Sequence, residues 1–274
     1  MYLDKAIQKT AHTLINTGYD ITTEKWQGVD NPPAMWESLN VVLNSVMPQT
    51  PGELTRLVKP NLPWAENHFR ERISGKPLNP GNEYKNWPYY KRDAEMRTEG
   101  EKFTHSYMER FWPKYAGGKF AENDPDATKY YKEKNYDPNK GVRYTLGDFN
   151  DLLILLKKEP HTRQAYLPIW FPEDTGVVHG GRVPCSLGYY FIMRRGYLHL
   201  NYYIRSCDFL RHFKDDIYMA VRLAQELLNQ LRYLDNSWDD VELGTFNMYI
   251  GSLHIFLQEL NIVKKRYEPD IQHR

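Results

Sequence analysis

The feature that most constrains this chain is an eight-residue alternation, Tyr197-Leu198-His199-Leu200-Asn201-Tyr202-Tyr203-Ile204. Leu198, Leu200, Tyr202 and Ile204 fall on one side, and Tyr197, His199, Asn201 and Tyr203 on the other, which is the period of a half-buried strand. Upstream, Leu187 to Met193 is rich in tyrosine, phenylalanine and isoleucine, which favour strands. Arg194-Arg195-Gly196 between the two runs reads as a hairpin turn. Antiparallel pairing brings the start of the first run beside the end of the second, so Cys185 and Arg205 meet in space. Two short motifs flank the hairpin: Pro184-Cys185-Ser186 before it, and Arg205-Ser206-Cys207-Asp208 followed by Asp215-Asp216 after it. A thiol, a guanidinium and several carboxylates therefore gather at one end of a sheet.

Composition narrows the classes. With 274 residues, 41% of them hydrophobic, the chain can bury a large core as one domain. A formal charge of +1 argues against a nucleic-acid binder. No apolar run approaches a membrane span, and the first residues carry no secretory pattern. The only cysteines are Cys185 and Cys207, which argues against a disulfide framework and makes the cytoplasm the expected compartment.

Along the chain, Leu3, Ile7, Ala11, Leu14 and Ile15 predict a helix over 1–17, stopped by Gly18. Thr22 to Pro33 reads as loop or short strand around Trp26. Leu39, Val42, Leu43 and Val46 predict a second amphipathic helix over 35–47, ended by Pro48 and Pro51. A short helix is expected from Trp64 to Ile73, a loop from Gly75 to Trp87, and a helix from Glu99 to Trp112. Residues 116–141 read as an exposed insertion. Asp148 to Lys158 is helical, Gln164 to Phe171 a strand, and Pro172 to Gly181 a loop. Ile217, Val221, Ala224, Leu228 and Leu231 predict the longest helix, from Asp215 to Leu234. Leu243 to Ile250 is the last strand, and Gly251-Ser252-Leu253-His254 leads into a final helix. Strands gathered in the second half with helices around them give an α+β fold about one sheet.

Four segments, in order, resemble the thymidylate synthase superfamily, in particular its pyrimidine hydroxymethylase branch. Glu159-Pro160-His161-Thr162-Arg163 is similar to the family's phosphate-binding loop, Pro184-Cys185 to its nucleophile, and Arg205-Ser206-Cys207-Asp208 to its arginine-serine-cysteine-aspartate motif. Gly251-Ser252-Leu253-His254-Ile255 is similar to the segment that grips the sugar in deoxycytidylate hydroxymethylases. The likeness covers roughly residues 145–260 well and 60–115 more weakly; the first 60 residues are divergent and read as helical.

The resemblance implies a thymidylate synthase-like α+β domain over 1–274, with a large mixed or antiparallel sheet flanked by helices. It implies a homodimer with shared active sites, a pyrimidine nucleoside monophosphate as acceptor and 5,10-methylenetetrahydrofolate as one-carbon donor, with no metal. Cys185 would add to carbon 6 of the ring, a covalent step that makes carbon 5 nucleophilic. Arg205 and Ser206 would bind the phosphate, joined by Arg163 from the other subunit; Gln164 replaces a second arginine, a role that Arg182 can take. Glu66 would be the catalytic glutamate, its pKa raised by burial, with Glu71 the rival. Asp208 would hold the pterin, Trp87 and Tyr107 would wall the cofactor and the cysteine, and His254 would bond the sugar. Phe256 stands in place of a tyrosine that bonds the same sugar hydroxyl, which leaves deoxyribose against ribose open; Ser186 stands where synthases carry histidine, and hydroxymethylases differ from them there too. Asp216, or Asp215 one residue before, stands where uracil-specific members carry asparagine. An ionised carboxylate only accepts hydrogen bonds, which suits the 4-amino group of cytosine. The expected activity is 5-hydroxymethylation of a cytosine nucleotide, deoxycytidylate before cytidylate, with C5 methylation of cytidylate or deoxyuridylate as the alternative, in a bacterium or a phage-infected host.

Overall fold

The computed structural model describes residues 1–26, 29–89, 98–99, 102–103, 105–113, 147–172, 174–175 and 183–268. The expected 116–141 insertion and most of the 172–181 loop lie outside the described residues, as does Arg182. Among the described residues no helix is long and apolar enough to cross a membrane.

The predicted hairpin forms. Strand β8 (Ser186–Arg194) pairs antiparallel with β9 (Tyr197–Asp208). Arg195 and Gly196 both take positive φ, 53° and 77°, the backbone that two-residue hairpins use to match strand twist. Leu198, Leu200, Tyr202 and Ile204 are all buried, as their alternation requires.

Around it stands a six-stranded sheet of order β1-β4-β10-β9-β8-β7. Its other members are β1 (Tyr19–Ile21), β4 (Met35–Val46), β7 (Tyr166–Pro168) and β10 (Glu242–Phe256). Strand β10 runs parallel to β9 and antiparallel to β4, so the sheet is mixed. Two short ladders lie apart from it: β2 (Lys25–Trp26) with β3 (Val29–Asp30), and β5 (Thr98–Glu99) with β6 (Lys102–Phe103).

Strand β4 corrects the helix predicted over 35–47. Leu39, Val42, Leu43 and Val46 match helical spacing, yet the buried positions are Val41, Leu43 and Ser45, alternating. Leu39 and Val42 are half exposed, on the outer side. Valine at 41, 42 and 46 suits a strand, and the long ladder with β10 decides the matter. The sheet therefore has a long strand in the N-terminal part, where helices were expected. Three further boundaries differ: among the described residues of the predicted 99–112 helix only Tyr107–Phe111 is helical, β7 is shorter than 164–171, and Gly251 to His254 continue β10 rather than leave it. The start of a helix needs only local signals; the length of a strand depends on its neighbours.

The helices are α1 (Leu3–Thr17), α2 (Pro51–Val58), α3 (Trp64–Arg72), α4 (Tyr107–Phe111), α5 (Phe149–Lys158), α6 (Phe213–Leu234) and α7 (Leu260–Tyr267). Helix α6 is buried on nearly all sides and packs on α2, α3, α5, β9 and β10, as an apolar helix at the centre of a core must.

A line of backbone irregularity crosses three strands and positions the site. Asn40 in β4 has φ 54°. Pairing skips Asn40 against Gly251, and Gly251 against Arg205. A Cβ at Gly251 would lie 2.8 Å from the Arg205 carbonyl oxygen, so the close approach requires glycine. The alternation changes phase there: Phe246, Met248 and Ile250 are buried before it, Leu253 and Ile255 after it. Ser206, Asp208 and His254 thereby come to one cavity.

Candidate active site

The cavity measures about 300 Å³. Two walls meet in it. Strand ends and the turn into α6 bring Cys185, Ser206, Asp208, Asp216 and His254. Helix α3 and the segments after it bring Trp64, His68, Arg72, Trp87 and Tyr107. Trp26 and Val29, from β2 and β3, complete the rim.

Cys185 is half-buried and Cys207 buried; both are free thiols. The Cys185 carbonyl accepts from the Arg205 backbone N–H at 2.9 Å, the meeting that the hairpin demanded. Cys207 donates weakly to Asp216 Oδ2 at 3.7 Å, and burial beside Asp216 and Asp208 pushes its pKa well up. A protonated, buried thiol is a poor nucleophile, so Cys185 is the reactive candidate. Ser186, fully buried, bonds Tyr202 Oη at 2.7 Å and Tyr107 Oη at 3.3 Å, anchoring the start of β8 next to the thiol.

The structure chooses between the neighbouring aspartates. Asp215 accepts from Asn61 N–H at 2.8 Å and from Asn61 Nδ2 at 2.7 Å, and does not line the cavity. Asp216 does line it, with Cys207 as its side-chain partner. Burial raises the Asp216 pKa to about 7, against the pull of Arg72; the carboxyl is therefore partly protonated at neutral pH.

Glu66 departs from expectation. It is absent from the cavity lining and is gripped by Arg222, whose Nε and Nη2 reach it at 2.9 and 3.1 Å. Tyr218 Oη at 3.0 Å and Arg70 Nε at 2.9 Å complete the cluster. Burial alone would raise its pKa, but these donors win and hold it down at about 2, so Glu66 ties α3 to α6 as a fixed anion. The rival Glu71 is occupied as well, accepting from Asn82 N–H at 2.5 Å and from Glu83 N–H at 3.3 Å. In their place α3 presents His68 and Arg72. His68 is 2% exposed, stacks on Trp64 at 5.1 Å, and its pKa is lowered to about 4 by burial and the Arg72 charge. Glu71 Oε2 lies 3.7 Å from its Nδ1, too far for a good hydrogen bond. The four-residue spacing of His68 and Arg72 signals a shared face, but only the fold reveals which face of α3 is turned to the cavity.

Asp208 accepts from Leu210 and Arg211 N–H at Oδ1, each at 3.0 Å, and from the Arg211 guanidinium at Oδ2, 2.6 Å. A carboxylate offers about four acceptor positions, so one remains, in a cavity that Trp87, Tyr89 and Phe256 also line. Those residues fit a planar heterocycle that carries N–H donors. Arg211, which also pairs with Glu259 at 2.6 Å, and His212, stacked on Trp87 at 5.0 Å, were not foreseen from the sequence. Arg205 gives Nε–H to the Pro184 carbonyl at 2.9 Å and Nη2–H to Val183 at 3.2 Å. Three of its five donors remain free of those bonds. Arg163 is exposed on the turn before β7, outside this cavity. His254 borders the cavity edge-on to Trp26 at 5.8 Å and lies 3.4 Å from Ser252 Oγ, which donates to Glu37.

A half-buried free thiol and a buried acid thus line one cavity beside the mixed sheet of an α+β fold of the thymidylate synthase type. The fold is similar to that of thermostable thymidylate synthase A from Bacillus subtilis, with a TM-score of 0.63 at 16% identity over 98% of this chain and 84% of that one. Residues 95–273 match the sequence model of the thymidylate synthase family, and the chain belongs to that family. The family's chemistry is folate-dependent one-carbon transfer to carbon 5 of a pyrimidine.

Proposed function

We propose that the protein transfers a one-carbon unit to carbon 5 of a cytosine nucleoside monophosphate and releases the 5-hydroxymethyl nucleotide. The observation that carries this reading is the shared cavity of Cys185 and Asp216. Cys185 forms a bond to carbon 6 and makes carbon 5 electron-rich. Asp216 reads the ring edge: it accepts from the 4-amino group and shares a proton with N3, the pattern that its pKa near 7 allows. Ser206 and the free donors of Arg205 take the 5′-phosphate, and His254 the sugar. When bound, 5,10-methylenetetrahydrofolate supplies the one-carbon unit; Asp208 and Trp87 would hold it, and Tyr107 would wall it from the thiol.

The reading includes a homodimer in which Arg163 serves the partner's phosphate site. The outer sheet face supports it. Leu39, Val42 and Val46 are exposed there at 44 to 53%, and Tyr203 stacks on Tyr249 at 5.0 Å. So much apolar surface on one face marks an interface. Val42→Glu is expected to give a monomer by sedimentation.

The deciding experiment supplies methylenetetrahydrofolate with deoxycytidylate, cytidylate or deoxyuridylate and follows the products. Tetrahydrofolate with a hydroxymethylcytosine nucleotide is the expected outcome. Accumulation of dihydrofolate would make the protein a methylating enzyme, and turnover of deoxyuridylate alone would overturn the cytosine assignment.

A further inference from the structure

Arg72 is 5% exposed and lines the cavity with Cys185 and Asp216. Its guanidinium carbon lies 4.0 Å above the Tyr107 ring centre. Among the described residues its Nε–H has no acceptor and no carboxylate lies within ion-pair distance of it. Arginine does not deprotonate in proteins, and a buried charge without a counter-charge is unfavourable. The acids nearby are engaged elsewhere or only partly ionised: Glu71 accepts from the backbone of Asn82 and Glu83, Glu66 is gripped by Arg222, and burial keeps Asp216 partly protonated. The other titratable groups that feel Arg72 are His68, Tyr107 and Tyr189, none of which is anionic at neutral pH. A fixed cation lines the cavity beside Cys185 and Asp216, with no carboxylate ion-paired to it among the described residues.

We propose that Arg72 receives the negative charge that the reaction places on the pyrimidine ring. The proposal deepens the function above and rests on it. When the Cys185 thiolate bonds to carbon 6, the C5=C6 π pair moves to carbon 5 and, by conjugation, to N3 and the exocyclic oxygen. No proton moves; one unit of charge passes from sulfur to ring, and returns when the S–C6 bond breaks. A cation already in position stabilises that adduct without reorganising. It does little for the neutral ring before the thiolate adds, so its effect belongs to the chemical step.

Arg72→Met and Arg72→Lys, assayed with C5-tritiated cytosine nucleotide and methylenetetrahydrofolate, test this. Arg72→Met is expected to slow tritium release by about 100-fold or more, with the nucleotide Kd changed by less than about threefold. Arg72→Lys should recover part of the rate. Removing an unpaired buried cation should leave the Tm of the ligand-free protein unchanged or raised. Loss of affinity as large as the loss of rate, or a lowered Tm with the rate per folded molecule intact, would overturn the proposal. Absence of tritium release from the unsubstituted protein would remove the functional reading, and this proposal with it.

Discussion

The two walls of the cavity differ in what builds them. The strand wall carries acids and a thiol: Cys185, Asp208 and Asp216. The helix wall carries bases and rings: His68, Arg72, Trp64 and Trp87. Their carboxylates make the contrast sharpest. Asp216, buried in the cavity with a thiol as its partner, has its pKa raised to about 7. Glu66, on the far side of α3 among Arg70, Arg222 and Tyr218, is held at about 2. Asp216 is buried and Glu66 partly so, and desolvation acts on both in the same direction; only Glu66 has cationic donors that outweigh it. An acid near neutral pKa can share protons with a ligand, whereas one at 2 is structural.

Breaking the strand wall has the largest expected effect. Cys185→Ala should lower tritium release from carbon 5 by more than about 1000-fold, as removal of the proposed nucleophile requires. Persistence of release in that variant would show that the thiol is not the nucleophile. Asp216→Asn should come next, moving the ratio of kcat/KM for cytosine over uracil nucleotides toward uracil by about 100-fold, the scale of one or two hydrogen bonds to a buried polar edge. An unchanged ratio would take base recognition away from this position.

Glu66→Gln sharpens the comparison from the other side. It should cost about 2 kcal/mol of stability by leaving Arg222 short of its counter-charge, with kcat per folded molecule unaltered. A collapse of kcat in stable protein would return Glu66 to the chemistry.

The smallest effect is on the pH profile of stability, where the two acids act in opposite windows. The folded pKa of Asp216 lies above the ordinary aspartate value of 3.8. Its contribution is therefore full below about 3.8 and is lost as pH rises through about 7. The folded pKa of Glu66 lies below the ordinary glutamate value of 4.5. Its contribution is present above about 4.5 and is lost as pH falls through about 2. Thermal melts should show a shallower decline between pH 4 and 7 in Asp216→Asn, and a shallower acid limb in Glu66→Gln. Curves parallel to the unsubstituted protein would place these shifts elsewhere.

Legibility followed the same division. Cys185, Ser206, Asp208, Asp216 and His254 lie in or beside strands whose alternation and motif order could be read directly, and they converge as expected. Glu66 could not be resolved in that way. Helix α3 is short and polar, with candidate groups at 66, 68, 71 and 72, so its sequence does not say which face is inward. The mistaken helix over 35–47 has a related cause: Leu39, Val42 and Val46 are apolar because they form the outer face of a sheet, and apolar residues on both faces of a strand imitate helical spacing.

The amino-acid order by itself determined the hairpin at Arg195-Gly196, the long helix α6 and the nucleophile motif, because each depends on residues close together in the chain. Tertiary structure alone decided that β4 is a strand, that Asp216 rather than Asp215 enters the cavity, and that Arg72 rather than Glu66 lines it. The physical reason is that pairing with β10, burial, and the donors of Arg222 come from segments distant in sequence, and those long-range terms set both the direction of a side chain and the charge that it carries.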